Sequence, residues 1–531
     1  MLSSGGELAG SAHRLALSYM KEKQQGIICV PVCVERARDL AASVARAARV
    51  GDLVELRLDC LRGAELEEAL RGLHALLRTQ SCPFILTLRP AEQGGHLEID
   101  SLSRVAFWLE YFGYDEQFTG FADIELDVAV LLAEQRAPLD WSRVICSHHD
   151  FAGSSDLESI YARMKPTPAR ILKLAVRVKE MTDCLALLRL FERARLEGRE
   201  MVAIAMGEAG TWTRILAPSR GAFLTYGALD AESATAPGQP TAAELRDLYR
   251  VHKLDEHTEI MGLVGSPVAH SVSPHMHNAA FDASGLNAVY IPFEVRDAKA
   301  FLHRMAHPRT REISWNLRGL SVTAPHKSAV LEHLDWIEQS AREIGAANTI
   351  VIQSNELHGY NTDAKALLAP LLDRIGHLRD KRFAIIGAGG AARAALWSLR
   401  REGAHTTLFA RNPERARHLA KEFDASFHPL DASSFDGFDV VINATPLGTR
   451  GLHQDDTPAR ATQLRGAGII YDLVYNPLET RLMREARAAG CDTIGGLAML
   501  IAQAAEQFKI WTGKPAPVEV MRDAALHALK E

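Results

Sequence analysis

TAPGQPTAAELRDLYRVHKLDEHTEIMGLVGSPVAHSVSPHMH, residues 235–277, decides how the chain divides. Its beginning closes one series of alternating strand-like and helix-like runs, and its end opens a second. Between the two, Arg250 to Glu259 is short, charged and free of glycine and serine, unlike a flexible tether. A chain of 531 residues is too long for one ordinary domain. The expected boundaries are a tail over 1–25, an α/β domain over 26–250 and a connector over 251–258. A smaller α/β lobe over 259–363 and a dinucleotide-binding lobe over 364–531 follow, the C-terminal helices returning to the smaller lobe.

Working upstream, IICVPVCV (27–34), LVELRLD (53–59), PFILTLRP (83–90) and FADIELD (121–127) read as strands. RVICSHHDF (143–151), ILKLAVRV (171–178), MVAIAMG (201–207) and AFLTYGAL (222–229) continue the series, with helical runs between them. Eight strand–helix units in this length predict a (β/α)8 barrel, its strands apolar enough to be buried on both faces. Such barrels carry their working residues at the C-terminal ends of strands, where the polar exceptions fall. Glu55, Arg57 and Asp59 alternate on one face of the second strand, Arg89 ends the third, and His148 and His149 end the fifth. Lys173 lies inside ILKLAV, and Arg214 follows the seventh.

Lys173 is the sharpest of these. Burying an ammonium is costly, and desolvation lowers a lysine pKa by up to roughly three to five units. The neutral amine is then a nucleophile for a ketone, giving a Schiff base. The competing reading is a structural ion pair with Glu55 or Asp59. Spacing alone does not choose between His148 and His149 as the partner facing the lysine.

ELR, TLRP followed by GG, SHHDF, ILKLAV, AMGEAGTWTR and TAPGQ together resemble type I 3-dehydroquinate dehydratase over about 27–250. The resemblance implies that Lys173 forms the imine and that His149 transfers the protons. It implies that Arg214 and Gln239 hold the carboxylate and hydroxyls, with Glu55, Arg57, Arg89 and Thr235 around the ring. Gln93 stands where a Glu often orients the histidine, Ile204 replaces a Met, and Thr235 replaces a Ser. Gln93 is expected to orient the ring without stabilising an imidazolium as a carboxylate would.

Downstream, Ser273-Pro274 reads as a cap opening a helix, with Ser271 as the other capping candidate. AVYIPFEV (288–295), NLRGLSVTAP (316–325) and GAANTIV (345–351) read as strands. RFAIIGAGGAARAALWSLRREGAHTTLFARNPERARHLA then gives strand, glycine turn, helix, strand. The turn over Gly387, Ala388, Gly389, Gly390, Ala391 and Ala392 fits G-x-G-x-x-A, which lets a pyrophosphate approach backbone N–H groups at a helix start. Where an acidic residue would bind the 2′-hydroxyl of NAD, the chain has Arg411 and Arg415, which suit the 2′-phosphate of NADP.

SPVAHSVSP, SVTAPHK, GAANTIV, GYNTD, IIGAGGAARA, NATPLG, YDLVYNP and GGLAMLIAQA together resemble shikimate dehydrogenase over about 259–531. The resemblance implies a catalytic pair of Lys327 and Asp363 at the carbonyl that receives hydride. It gives Ser271, Ser273, Thr323, Asn348, Tyr475 and Gln503 to the substrate and places Gly496 by the cofactor. Ser321 stands where many members have Asn, and Gly495 where many have Asp or Asn. The order of the two resemblances is that of a bifunctional enzyme of plants and some bacteria, whose substrates are 3-dehydroquinate, 3-dehydroshikimate and shikimate. Three other readings compete: a catabolic quinate/shikimate dehydrogenase fusion using NAD, a non-catalytic metabolite-binding regulator, and a Schiff-base aldolase barrel. Arg411 opposes the first; the retained Lys173, His149, Lys327 and Asp363 oppose the second. The Arg and Gln set around Lys173 opposes the third.

Composition excludes several classes. A net charge of −6 carries no nucleic-acid footprint. No window approaches the roughly 18 apolar residues of a membrane span, and the N-terminal stretch lacks the basic head and apolar core of a secretory signal. Seven scattered cysteines without a C-x-x-C pair predict reduced thiols in a cytoplasm, with no disulfide frame and no metal site.

Overall fold

The computed structural model of the chain describes residues 26–79, 82–112, 120–153, 156–430, 434–451 and 453–530. The expected tail over 1–25 lies outside the described residues. The described residues up to Thr258, with Phe293–Val295 and Glu312–Asn316, make one compact unit, and the remainder make a second.

In the first unit, eight strands form one sheet: β1 Ile28–Val32, β2 Leu53–Arg57, β3 Phe84–Thr87, β4 Phe121–Glu125, β5 Val144–Asp150, β6 Ile171–Arg177, β7 Glu200–Met206 and β8 Thr225–Tyr226. Their order is β7-β6-β5-β4-β3-β2-β1-β8, and helices connect successive strands as the 3.6-residue pattern predicts. Where the sequence suggested a long eighth strand, the chain leaves the ladder at Gly227, against which the Ala242 backbone packs too closely for a side chain. One bond, from Phe223 N–H to Met201 O at 3.1 Å, spans the seam between β7 and the segment entering β8. The closing run over 242–251 contains a π-turn at Glu244–Leu248 rather than a regular α-helix.

Two-residue periodicity sorts the barrel interior into levels. Ile85, Phe121, Ile145 and Ile171 pack together in a buried apolar layer, each contributing about 1.5–3 kcal/mol on burial. Two residues further along the same strands, the register aligns Thr87 with Asp123 and Ser147 with Lys173. The polar layer is therefore lifted toward the C-terminal ends of the strands by an apolar floor.

The second unit has two sheets. A mixed one orders as β10-β9-β11-β13-β14-β12, from β9 Glu259–Gly265, β10 Ala288–Glu294, β11 Leu317–Val322, β12 Trp336–Ile337, β13 Thr349–Gln353 and β14 Glu356–Tyr360. The other contains β15 Arg382–Ile386, β16 His405–Ala410, β17 Ser426–Pro429, β18 Val440–Asn443, β19 Ile469–Asp472 and β20 Asp492–Ile494. Its strands pair in parallel. Its order, β17-β16-β15-β18-β19-β20, is the doubly wound 3-2-1-4-5-6 arrangement, with the switch point between β15 and β18. The apolar helix Leu497–Thr512 packs on the mixed-sheet lobe through Ile501, Ala504 and Phe508.

Candidate active sites

In the barrel, Lys173 is buried at the polar level. Its Nζ donates to Asp123 Oδ2 at 2.7 Å and to Tyr226 Oη at 3.0 Å, and lies 3.6 Å from Glu55 Oε1. The sequence offered Glu55 or Asp59 as the partner; Glu55 does pair with the lysine, and Asp123 adds the closer contact. Asp59 is diverted because β2 ends at Arg57, and the turn Leu58–Cys60 brings its carboxylate onto the Arg57 guanidinium at 2.9 and 2.8 Å. Burial works to raise the Asp123 carboxyl, but the charges of Arg89 and Lys173 hold it well below the usual carboxylate range.

His149, the inward member of the histidine pair, lines the same cavity as Lys173, Glu55, Arg57, Arg89, Arg214, Thr235 and Gln239. Burial, followed by the charges of Arg89 and Lys173, keeps its imidazole well below the ordinary value of 6.5. The ring is therefore neutral near pH 7 and able to accept a proton. Gln93 Oε1 accepts from the His149 backbone N–H at 3.3 Å, while ring Nδ1 has no hydrogen-bond partner. The contact that Gln93 makes with His149 is thus to the main chain and not to a ring nitrogen.

The two buried arginines differ in kind. Arg89 bonds Asp123 at 2.8 Å, Glu125 at 2.7 Å and Ser147 at 2.7 Å. Burial opposes its charge, but the Asp123 and Glu125 carboxylates raise its pKa overall. Its donors are largely committed to the wall. Arg214 is equally buried, its Nε has no partner, and burial pushes its guanidinium down to about 10. A buried charge without a carboxylate is expensive, and an anionic ligand would relieve it. Thr235 N–H and Oγ1 both donate to Gln239 Oε1, at 3.0 and 3.1 Å, tying the loop that follows β8.

The expectation of seven reduced cysteines fails at one pair. Cys33 and Cys60 form a disulfide with Cα atoms 5.4 Å apart. Adjacent parallel strands bring the residue after β1 beside the turn after β2, which a sequence separation of 27 does not reveal. His96 lies within 4.8 Å of both sulfurs, but these are bonded to each other and offer no thiolate to a metal. The other five cysteines are free.

In the second unit, Lys327 Nζ donates to Asp363 Oδ2 at 2.6 Å. Asn348 Nδ2 donates to Asp363 Oδ1 at 2.8 Å and to Thr362 Oγ1 at 2.9 Å, so Asn348 fixes the carboxylate. Asp363 opens the helix Asp363–Ile375, whose N-terminal dipole favours its negative charge. The expected Ser273 cap is displaced: the helix begins at Ser273 itself, and Ser271 Oγ accepts the Ser273 N–H at 3.2 Å. Proline at the second helical position removes an N–H, which leaves the preceding serine to serve the first. Burial raises the Tyr475 phenol, opposed by a hydrogen bond with Ser271, so these two expected residues meet. Thr323 follows β11 and packs against Gly265, where a Cβ would lie 2.3 Å from its methyl.

Gln503 Nε2 donates to Leu500 O of its own helix at 3.0 Å. One turn on, the buried Gln507 accepts from Ser321 Oγ at 2.8 Å and donates to Thr349 Oγ1 at 3.0 Å. It fills the space beside the short Ser321. Asp123, Tyr226 and Gln507 are the neighbours of these candidate residues that sequence reasoning missed. Asp123 carried a signal, a carboxylate inside an apolar strand with the parity of Ile85 and Lys173; the other two read as core.

The glycine turn after β15 fits a dinucleotide. Gly387 has φ +119°, and a Cβ there would meet Ala444 O at 2.9 Å. Gly389 caps and Gly390 begins the helix Gly390–Arg401, leaving its first N–H groups directed outward. A Cβ on Gly390 would lie 3.0 Å from Lys327 Cδ, so this glycine lets the lysine stem lie against the turn. Ala388 and Ala391 keep the rest of the turn narrow. Arg411, directly after β16, and Arg415, in the first turn of the next helix, are exposed. Gly496 and Tyr475 line one cavity beside Arg522.

The family model of type I 3-dehydroquinase matches residues 28–256. Those of the shikimate dehydrogenase substrate binding domain, shikimate/quinate 5-dehydrogenase and the shikimate 5'-dehydrogenase C-terminal domain match 263–350, 371–474 and 496–526. A chloroplastic bifunctional 3-dehydroquinate dehydratase/shikimate dehydrogenase of Arabidopsis thaliana is 32% identical, covering 94% of this chain and 84% of its own. An NADP(+) shikimate dehydrogenase of Methanocaldococcus jannaschii is 40% identical over 51% of this chain and 96% of its own. One of Symbiobacterium thermophilum is 42% identical over 51% and 95%. The chain belongs to the family of bifunctional 3-dehydroquinate dehydratase/shikimate dehydrogenases.

Proposed function

We propose that the barrel dehydrates 3-dehydroquinate to 3-dehydroshikimate and that the second unit reduces this product to shikimate with NADPH. The observation that carries the reading is two assembled lysine sites in one chain. Lys173 shares a cavity with His149 and the unpaired Arg214, and Lys327 stands 2.6 Å from Asp363. We keep the boundaries 26–250, 251–258, 259–363 and 364–531 as the working division.

In the barrel, the Lys173 amine attacks the substrate ketone, and the carbonyl oxygen leaves as water. The resulting imine withdraws electrons from the adjacent carbon, lowering the cost of losing its proton. Neutral His149 takes that proton, then returns one to the departing hydroxyl as the double bond forms. Hydrolysis of the imine releases the enone. Arg214 binds the carboxylate, and Gln239, Thr235, Glu55 and Arg57 hold the ring. Arg89 acts mainly through the wall, since its donors meet Asp123 and Glu125.

In the second unit, the Gly387–Ala391 turn, Gly496, Arg411 and Arg415 would hold the cofactor, the arginines suiting its 2′-phosphate. NADPH supplies a hydride there when bound. Lys327 donates a proton to the substrate oxygen, and Asp363 orients the ammonium and balances its charge. Ser271, Ser273, Thr323, Tyr475 and Gln503 contact the substrate, while Asn348 positions Asp363. Arg411 and Arg415 favour this reading over an NAD-dependent quinate route.

The partners are these small molecules; the net charge of −6 does not suit nucleic acid. Among the described residues, no helix is long and apolar enough to cross a membrane. We assign the chain to the cytoplasm on its five free cysteines, a reducing compartment being one that would open the Cys33–Cys60 bond. The test is to give the purified chain 3-dehydroquinate, then NADPH, following enone absorbance and NADPH together. The enone should rise and then fall as NADPH is consumed. Folded protein inert toward both compounds would refute the reading.

A further inference from the structure

We propose that the Tyr226 hydroxyl is a catalytic proton relay for the covalent step at Lys173, passing a proton to the substrate oxygen as the amine adds. The inference deepens the Schiff-base reading of the barrel and rests on it.

Tyr226 ends β8, pairs with Cys29 of β1 and lines the cavity that holds Lys173. Its Oη stands 3.0 Å from Lys173 Nζ, and Nζ lies 4.2 Å from the ring centroid. The residue is 4% exposed, so the hydroxyl is aimed at the amine in a site largely sheltered from bulk water.

Carbinolamine formation leaves one proton too many on nitrogen and one too few on oxygen. His149 lines the same cavity and is assigned the proton on carbon; the carboxylates and the serine hydroxyl nearest Nζ are poorly suited to correct this. Asp123 is an ionised carboxylate shared between Lys173 and Arg89, and it has no proton to give. Glu55 Oε1 is 3.6 Å away and already accepts from Thr87 Oγ1 at 2.8 Å. Ser147 Oγ accepts from Arg89 at 2.7 Å. Among the described residues bonded to Nζ, the phenol alone can accept an N–H and donate an O–H together. Burial raises the phenol well above its ordinary value of 10, with the nearby Glu55 charge adding to the effect, so it retains its proton at neutral pH.

The step balances without a further reagent. The Nζ lone pair forms the C–N bond while the carbonyl π pair moves onto oxygen. Tyr226 gives its hydroxyl proton to that oxygen and takes one from Nζ. The products are the carbinolamine and the original phenol. Packing alone would make no use of the hydroxyl, since phenylalanine would fill the same space.

The experiment uses the full chain and Y226F, with 3-dehydroshikimate as the probe and no NADPH. Rapid quenching into borohydride and intact mass measure the rate at which trapped imine appears, in H2O and in D2O. Y226F should form adduct roughly 10- to 100-fold more slowly, at the low end of general acid–base effects. The wild-type rate should fall in D2O, and Y226F should lose most of that isotope effect. A Y226F that traps as fast as wild type overturns the relay. So does a slower Y226F that keeps the full isotope effect, because that is a packing defect. Thermal unfolding of both proteins checks that the barrel is intact. If the wild type itself traps no imine, the Schiff-base reading fails first, and that outcome is distinct from the other two.

Discussion

Lys173 and Lys327 make almost the same ion pair, at 2.7 Å to Asp123 and 2.6 Å to Asp363, yet they are placed for different chemistry. The Lys173 side chain is 5% exposed and that of Lys327 is 21%. Lys173 projects from the middle of a strand, with barrel walls on every side and the ketone reachable only from the cavity. Lys327 sits in the turn after β11, its stem against the dinucleotide loop at Gly390. An amine fixed in a rigid wall can become part of the intermediate; one on a cleft edge can hand over a proton and withdraw. On the proposed reading, the surroundings and not the carboxylate partner set the chemistry.

The sharpest way to break this comparison is K173A, which should reduce dehydration by on the order of 10^4-fold or more, as loss of a nucleophile does. NADPH-dependent reduction of 3-dehydroshikimate, assayed on the same sample, should be unchanged. The converse variant D363N removes the charge that holds Lys327 and should slow reduction by roughly 10^2- to 10^3-fold. Its dehydration rate should stay at the wild-type level. Loss of both activities in either folded variant contradicts the separation of sites.

A smaller effect separates the two buried arginines. R214M should raise KM for 3-dehydroquinate by about 10- to 100-fold, the equivalent of one lost charge-assisted interaction of about 1.5–3 kcal/mol. Because Arg214 has no carboxylate to strand, thermal stability should not fall. R89M takes one of two cations from each carboxylate, leaving Asp123 with Lys173 and Glu125 with Arg104, and should destabilise the fold by about 3–5 kcal/mol. Calorimetry on the pair checks the contrast. Equal stability losses would mean that Arg214 is a wall residue too.

The smallest predicted effect is in pH. His149 is held below 6.5, so the base form persists as pH falls, and the acid limb of kcat/KM for dehydration should lie below that value. The sign for stability follows from proton binding. Below 6.5 the unfolded imidazole takes up a proton that the folded one refuses, so this residue's contribution is lost as pH drops from 6.5 toward the folded value. An acid limb above 6.5 would show that His149 is not depressed.

Much of this was legible in the residues themselves. The strand-end position of Arg89, the alternation of Glu55 with Arg57 and the lysine inside ILKLAV follow from a period of two and from the cost of burying charge. The dinucleotide turn and Arg411 follow from local spacing around one strand. What stayed hidden depends on neighbours distant in sequence. Asp123 reaches Lys173 only because β4 and β6 flank β5. Cys33 meets Cys60 only because β1 pairs β2 in parallel. Gln507 and Gln503 are one helical turn apart on the same face, and spacing does not reveal that the first is buried against Ser321. Tyr226 resembles any core aromatic until the barrel closes around it. Asp59 misled because alternation was extended one residue pair beyond the true end of β2.

The central claim is that the chain divides its chemistry between two lysines, only one of which becomes covalent. The most direct measurement is borohydride reduction of the intact chain in the presence of 3-dehydroshikimate, followed by peptide mass spectrometry. A single adduct on the peptide containing Lys173, with Lys327 unmodified, is the predicted result. An adduct on Lys327, or none on Lys173 in protein that consumes 3-dehydroquinate, would contradict it.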